Sequence, residues 1–165
     1  MSRIALLGNS REPTNAQALS EARSAASLLG LQLLPLDALD AKGLESAIEA
    51  SVKAKVDAIM VLAAPTINAN QARLLELVAQ HRLPTSYWTT DFVATGGLMA
   101  YSANQADQIR RVAVYVDKIL KGRKPADLPV EQASRFELVF NMKTAKAMGL
   151  TVPQSFLIRV DRMIE

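Results

Sequence analysis

The sequence predicts an α/β fold organised around a doubly wound parallel sheet. Short runs that are apolar throughout alternate with longer amphipathic stretches, as expected when strands are covered on both faces by crossover helices. Glycine, proline and polar clusters punctuate the junctions between the two kinds of segment. Half of the 165 residues are hydrophobic and 21% are charged, which suits one domain with a real core.

Taken in order, RIALLG (3–8) reads as a buried strand, and the polar loop GNSREPTN leads from it into a helix over 14–29. Gly30 stops that helix, and LQLLPL (31–36) is the second strand. A helix over 40–55 follows, weakened by Gly43, and then the strand DAIMVLA (57–63). INANQARLLELVAQHR predicts a helix over 67–82 with Leu74, Leu75, Val78 and Ala79 on one face. PTSYW (84–88) is a short strand, TDFVATG a helical turn, and GLMAYS (97–102) a fifth strand. The clearest helix spans 104–122, where Ile109, Val112, Val116 and Ile119 form a stripe with Ala113 and Tyr115 beside it. The basic, proline-punctuated connector GRKPADLPVE then leads into another apolar stretch, so the chain crosses away from the sheet and comes back. No internal repeat or low-complexity tract is visible.

Nineteen basic and sixteen acidic residues give a net charge of +3, spread along the chain. No basic run is long enough to suggest a nucleic-acid partner or a polybasic membrane anchor. Without cysteine, disulfides, zinc fingers and thiol chemistry are excluded. MSRIALLGNS lacks the apolar segment and cleavage site of a signal peptide, and no apolar stretch approaches the roughly 20 residues that span a bilayer.

In a doubly wound sheet, ligands sit beyond the carboxyl ends of the strands. The loops of interest are therefore GNSREPT, AAPTINAN and WTTDF. The first has neither a G-x-G-x-x-G nor a P-loop pattern, although its backbone N–H groups at a helix start suit an anion. Thr14 or Asn15 is its expected N-cap. In the second loop, one of Thr66, Asn68 and Asn70 is expected to cap the helix, leaving the others to face a small polar ligand. His81, the only histidine, falls in a last helical turn and reads as a surface residue. Ser10 lacks a neighbouring base or nucleophile elbow, and Asp91 lacks the acidic companions of a hard-metal site. Trp88, Phe92 and Tyr101 form a sparse aromatic group suited either to core packing or to a ligand wall. No catalytic constellation emerges, and no cofactor or metal is implied.

The stretch GGLMAYSANQADQIRRVAVYVDKILKGRKPADLPVEQASRFELVFNMKTAKAMGLTVP (96–153) resembles the C-terminal signature of ABC-transporter substrate-binding proteins of the tryptophan/tyrosine type. The segment ILKGRKPADLPVE is its most specific part. RIALLGN, APTINAN and HRLPTSYWTTDFVATGGL also resemble the second lobe of that family, so the likeness covers essentially the whole chain. It implies one lobe of a type I periplasmic-binding-protein-like fold, residues 1–165. The chain begins at what resembles the first strand of the second lobe. In the family a signal or lipoprotein peptide and a first lobe come before it. Segment 97–131 is then expected to pack on that first lobe or on a partner chain. Residues 104–121 would contact it, and GRKPADLPVE would be the return crossing.

The resemblance further implies uptake of a small solute, with aromatic amino acids as the best precedent, an ABC permease as partner, and a periplasmic or extracytoplasmic location. Ligand positions carried over are Asn9, Ser10, Thr66, Asn68, Asp91 and Tyr101. Where the family often places an acidic residue after PT, this chain has Ile67. Neutral amides and hydroxyls at helix starts suit a carboxylate, and Asp91 suits an ammonium, which together describe an amino-acid zwitterion. The competing expectation is a non-binding interaction module that self-associates. In either case a homodimer through residues 97–131 is expected, built on the exposed stripe of the 104–122 helix.

Overall fold

Apolar runs become strands wherever both of their faces find cover, and β1 (Arg3–Gly8) shows this most fully: Ala5, Leu6 and Leu7 are all buried. The computed structural model describes residues 2–165. Seven strands form one sheet in the order β2 (Gln32–Asp37), β1, β3 (Ala58–Val61), β4 (Thr85–Tyr87), β5 (Met99–Ala103), β6 (Phe136–Asn141) and β7 (Arg162–Ile164). The first five run parallel. β6 runs antiparallel to β5, and β7 parallel to β6. The fold is therefore the α/β architecture expected, mostly parallel.

Two features of the right-hand edge depart from a purely parallel winding. The chain leaves the sheet after β5 and returns at the same end, so its next strand must run backwards. Asn104 N–H donates to the Arg135 carbonyl at 2.9 Å and closes the neck of this excursion. β7 goes unnamed in the sequence reading because a three-residue run between polar neighbours carries no period of its own. The side chain of Asp161 accepts from Leu138 N–H at 2.8 Å and sets it in place.

One face of the sheet carries the main core. α2 (Ala41–Lys53), α3 (Pro65–Ala69), α4 (Gln71–Gln80) and α5 (Thr90–Ala94) place Leu44, Ile48, Ile67, Leu74, Val78 and Phe92 against Leu7, Ile59, Val61, Ala100 and Val139. The other face is covered only at its ends. α1 (Pro13–Leu28) lies beside Leu6 and Leu62 at one end. At the other, α7 (Met142–Met148) and α8 (Gln154–Leu157) build a second cluster around Phe140, whose ring meets Phe156 edge-on at 5.1 Å. Between these covers runs an open strip containing Met60, 47% exposed, and Tyr101, 62% exposed.

Several local expectations change for physical reasons. The helix expected over 67–82 is two helices, because Pro65 starts α3 early and Asn70 (φ −114°, ψ 24°) interrupts the helical geometry. Gly43 does not weaken α2 so much as accommodate its cap. The Asp40 carboxylate accepts from Gly43 N–H at 2.7 Å, and a Cβ on Gly43 would lie 3.3 Å from that same oxygen.

α6 (Gln105–Leu120) begins at Asn104, whose side chain accepts from Asp107 N–H at 2.9 Å, and it buries none of its residues. The connector folds back along it. Arg111 pairs with Asp107 at 2.9 Å and with Glu131 at 3.0 Å, and the Tyr115 hydroxyl donates to the Pro129 carbonyl at 2.6 Å. Helix and connector thus form one arm standing off the sheet.

Gly97 makes the tightest turn of the core. Its N–H donates to the Phe92 carbonyl at 2.7 Å, and an added Cβ would sit 2.7 Å from both that oxygen and the Tyr87 ring. Tyr87 is itself stacked on Phe92 at 4.6 Å and has little room to move. Gly97→Ala is expected to lower stability by about 1–3 kcal/mol, the usual cost of overpacking, read as a fall in the urea midpoint at unchanged slope.

Candidate functional site at the carboxyl ends of the strands

The strand order reverses between β1 and β3, since β2 follows β1 on one side and β3 lies on the other. The loops leaving these two strands diverge to opposite faces and open a crevice between them. Asn9 directly follows β1, and Thr66 lies in α3, which follows β3. The Asn9 side-chain amide donates to the Thr66 hydroxyl at 3.3 Å, across the switch point.

Asn15 fixes both loops. Buried in the first turn of α1, its side-chain oxygen accepts from Asn9 N–H at 2.9 Å, and its NH2 donates to the Ala63 carbonyl at 2.8 Å. It is not the N-cap expected from the sequence. Glu12 occupies that position without a side-chain bond, and Thr14 is exposed. Gly8 makes the arrangement possible, because a Cβ there would lie 2.5 Å from the Asn15 side-chain oxygen. The Asn9 carbonyl oxygen of the side chain accepts from Arg11 N–H at 2.9 Å, so both ends of that amide are oriented.

The remaining candidates surround this pair unequally. Ser10 is exposed, and its N–H donates to the Asp37 carboxylate at 2.7 Å, which ties the end of β2 to the same loop. Thr66 is half-buried and Asn68 exposed. None of Thr66, Asn68 and Asn70 caps a helix through its side chain; Ala64 occupies the N-cap position of α3, and the Asn70 amide instead donates to the Thr66 carbonyl at 2.8 Å. Asp91 sits exposed in the first turn of α5, beyond β4, and enters no ion pair among the described residues. Trp88 is half-buried with its ring 4.8 Å from Phe92, so it belongs partly to the core. Tyr101 stands apart, on the open face of β5, stacked on Phe136 at 5.6 Å near the neck of the arm. His81 is exposed at the end of α4, as expected.

Asp37 and Asn15 are the residues whose part in this site is not read from the sequence. Asp37 could have been found as the acidic residue ending an apolar run. Asn15 offers no such signal, since asparagine at a helix start ordinarily means a cap.

A family model described as ABC transporter substrate binding protein matches residues 1–164. The chain belongs to that family. A conserved domain protein from Vibrio cholerae is 27% identical over 98% of this chain and 54% of its own, with a TM-score of 0.85. A domain from Streptococcus pneumonia solved in complex with L-Trp is 28% identical over 99% of this chain and 56% of its own, also at 0.85. The arabinose-transporter binding protein from Shewanella sp. ANA-3, at 11% identity and TM-score 0.56, shares the periplasmic-binding-protein fold alone. Substrate-binding protein family membership is thus joined to a chain that spans about half the length of the solved structures it matches. No curated protein matches significantly.

Asn15→Ala should disconnect the two loops. It strands the buried Asn9 N–H, at a cost of about 1–3 kcal/mol unless water replaces the amide, and frees the Ala63 carbonyl, which is exposed enough to meet water instead. The expected result is a destabilisation of about 1–3 kcal/mol in urea unfolding. Thr14→Ala, at an exposed neighbour, should change stability by less than about 0.5 kcal/mol.

Proposed function

We propose that this chain is the solute-binding part of an ABC uptake system. The proposed solute is a small amino acid-like molecule held against the carboxyl ends of β1, β3 and β4, outside the cytoplasm, for delivery to a permease. Family membership carries the reading, and the crevice at Asn9 and Thr66 agrees with it. The L-Trp complex of the pneumococcal relative favours an aromatic amino acid. The site's polar groups are amides and hydroxyls, with carboxylates at Asp37, bonded to Ser10 N–H, and at Asp91, a set suited to holding a solute.

In this reading Asn9, Ser10, Thr66 and Asn68 supply neutral hydrogen bonds to a carboxylate. Asp91, exposed and in no ion pair among the described residues, takes the ammonium, and Tyr101 lies further out on the open face of β5. A single lobe offers one wall, whereas a small-molecule pocket generally buries about 70–90% of a drug-sized ligand. High affinity therefore requires a second wall facing these loops.

Calorimetry with tryptophan, tyrosine, phenylalanine and branched-chain amino acids tests the reading. Binding is expected for at least one, with Asp91→Ala weaker by about 2–5 kcal/mol if closure desolvates the ammonium. N-acetylation of the ligand should have a similar effect. Binding of sugars but no amino acid would overturn the assignment, and unchanged affinity in Asp91→Ala would remove Asp91 from the site.

A further inference from the structure

Beneath the first turns of α1 lies a cavity of about 160 Å3 that shares Asn9 and Ser10 with the crevice. Leu6 pairs in register with Pro35, and Gly8 with Asp37, and all four line it from the sheet. Leu19 and Leu62 add further apolar wall. The space exists because the helix meets this corner of the sheet with small side chains. Ala16 lines it where a longer residue would fill it, and only Asn15 and Ala26 of the sixteen residues of α1 are buried. β2 is the edge strand, and its Pro35 and Asp37 are exposed, so the cavity opens to solvent on that side.

The lining selects a ligand by size and by charge. A space of roughly 150 Å3 between apolar side chains is enough for benzene, so one six-membered ring fills this cavity and an indole exceeds it. Among the described residues, Asp37 is the only ionisable group in the lining. Its Oδ1 accepts from Ser10 N–H at 2.7 Å, which holds the carboxylate at the mouth, and its Oδ2 accepts from no described residue. Asn15 commits its side-chain oxygen to Asn9 N–H and its NH2 to the Ala63 carbonyl. Water inside would therefore find few of the 2–4 polar partners it needs.

We propose that this cavity binds a small organic ammonium ion. A single ring or short branched chain enters between α1 and β1, and the ammonium rests on Asp37. Apolar burial and a charge-assisted hydrogen bond each supply part of the affinity, so neither half of the ligand suffices alone. The site is built without Asp91 and does not rest on the solute-binding reading.

Benzylammonium, one ring with one ammonium, is the probe. In a 1H–15N NMR titration of the chain it should bind saturably with a Kd of about 1 mM or tighter, shifting the amides of Ser10, Ala16 and Leu19. Methylammonium lacks the ring and benzyl alcohol lacks the charge, so each should bind about tenfold more weakly or worse. Asp37→Asn keeps an acceptor for Ser10 N–H and removes the charge; it should weaken benzylammonium by a similar factor. Ala16→Leu fills the cavity from an exposed helix position and should abolish binding with unchanged circular dichroism. The absence of a saturable shift, or shifts confined to residues away from α1 and β2, would overturn the inference. So would undiminished binding by either variant. Benzylammonium binding by a chain that binds no amino acid supports this site and counts against the solute reading alone. An amino acid bound without any benzylammonium shift does the reverse.

Discussion

Much of this structure follows from one constraint: the excursion between β5 and β6 leaves and re-enters the sheet at the same point. The backbone bond from Asn104 N–H to the Arg135 carbonyl, at 2.9 Å, closes the neck just beyond the Ala103–Phe136 pair. Because the chain returns where it left, β6 must run antiparallel, and β7 can then add beside it. The residues between form the arm, while Met60 and Tyr101 stand exposed on the sheet's second face.

The opposite side of the molecule is organised by polar contacts rather than apolar ones. Asn15 holds the loops after β1 and β3 with two bonds from one buried side chain, and Asp37 holds Ser10 from β2. Buried polar groups are costly unless paired, so these bonds limit the loops to one arrangement. The crevice is preorganised without helix caps. Asn9 and Thr66 meet there because the strand order reverses between β1 and β3, not because either helix start demands them.

Strand positions were largely legible because apolar runs flanked by glycine, proline or polar residues have few other uses in a doubly wound sheet. The stripe Ile109, Val112, Val116 and Ile119 was also legible, and its exposure follows from the arm standing free. Other features depend on contacts far along the chain. Gly43 looks like a helix breaker until the Asp40 carboxylate is seen beside it. Asn15 looks like a cap until Ala63 is seen to receive its amide. β7 has too few residues to show a period and exists only because β6 offers it an edge. For the site, the loops could be named from the strand-end rule, but which side chains converge could not. Asn9 and Thr66 meet; Tyr101 stacks on Phe136 elsewhere, on the open face of β5 and β6.

The central claim is that solute is held at the carboxyl ends of the parallel strands. Amide hydrogen exchange with and without saturating L-tryptophan measures this most directly. Slowed exchange is expected in the loops around residues 9–11, 64–68 and 89–92, with little change at the far ends of the same strands. Protection confined to the opposite edge, around residues 30–32, 54–57 and 82–84, would contradict it.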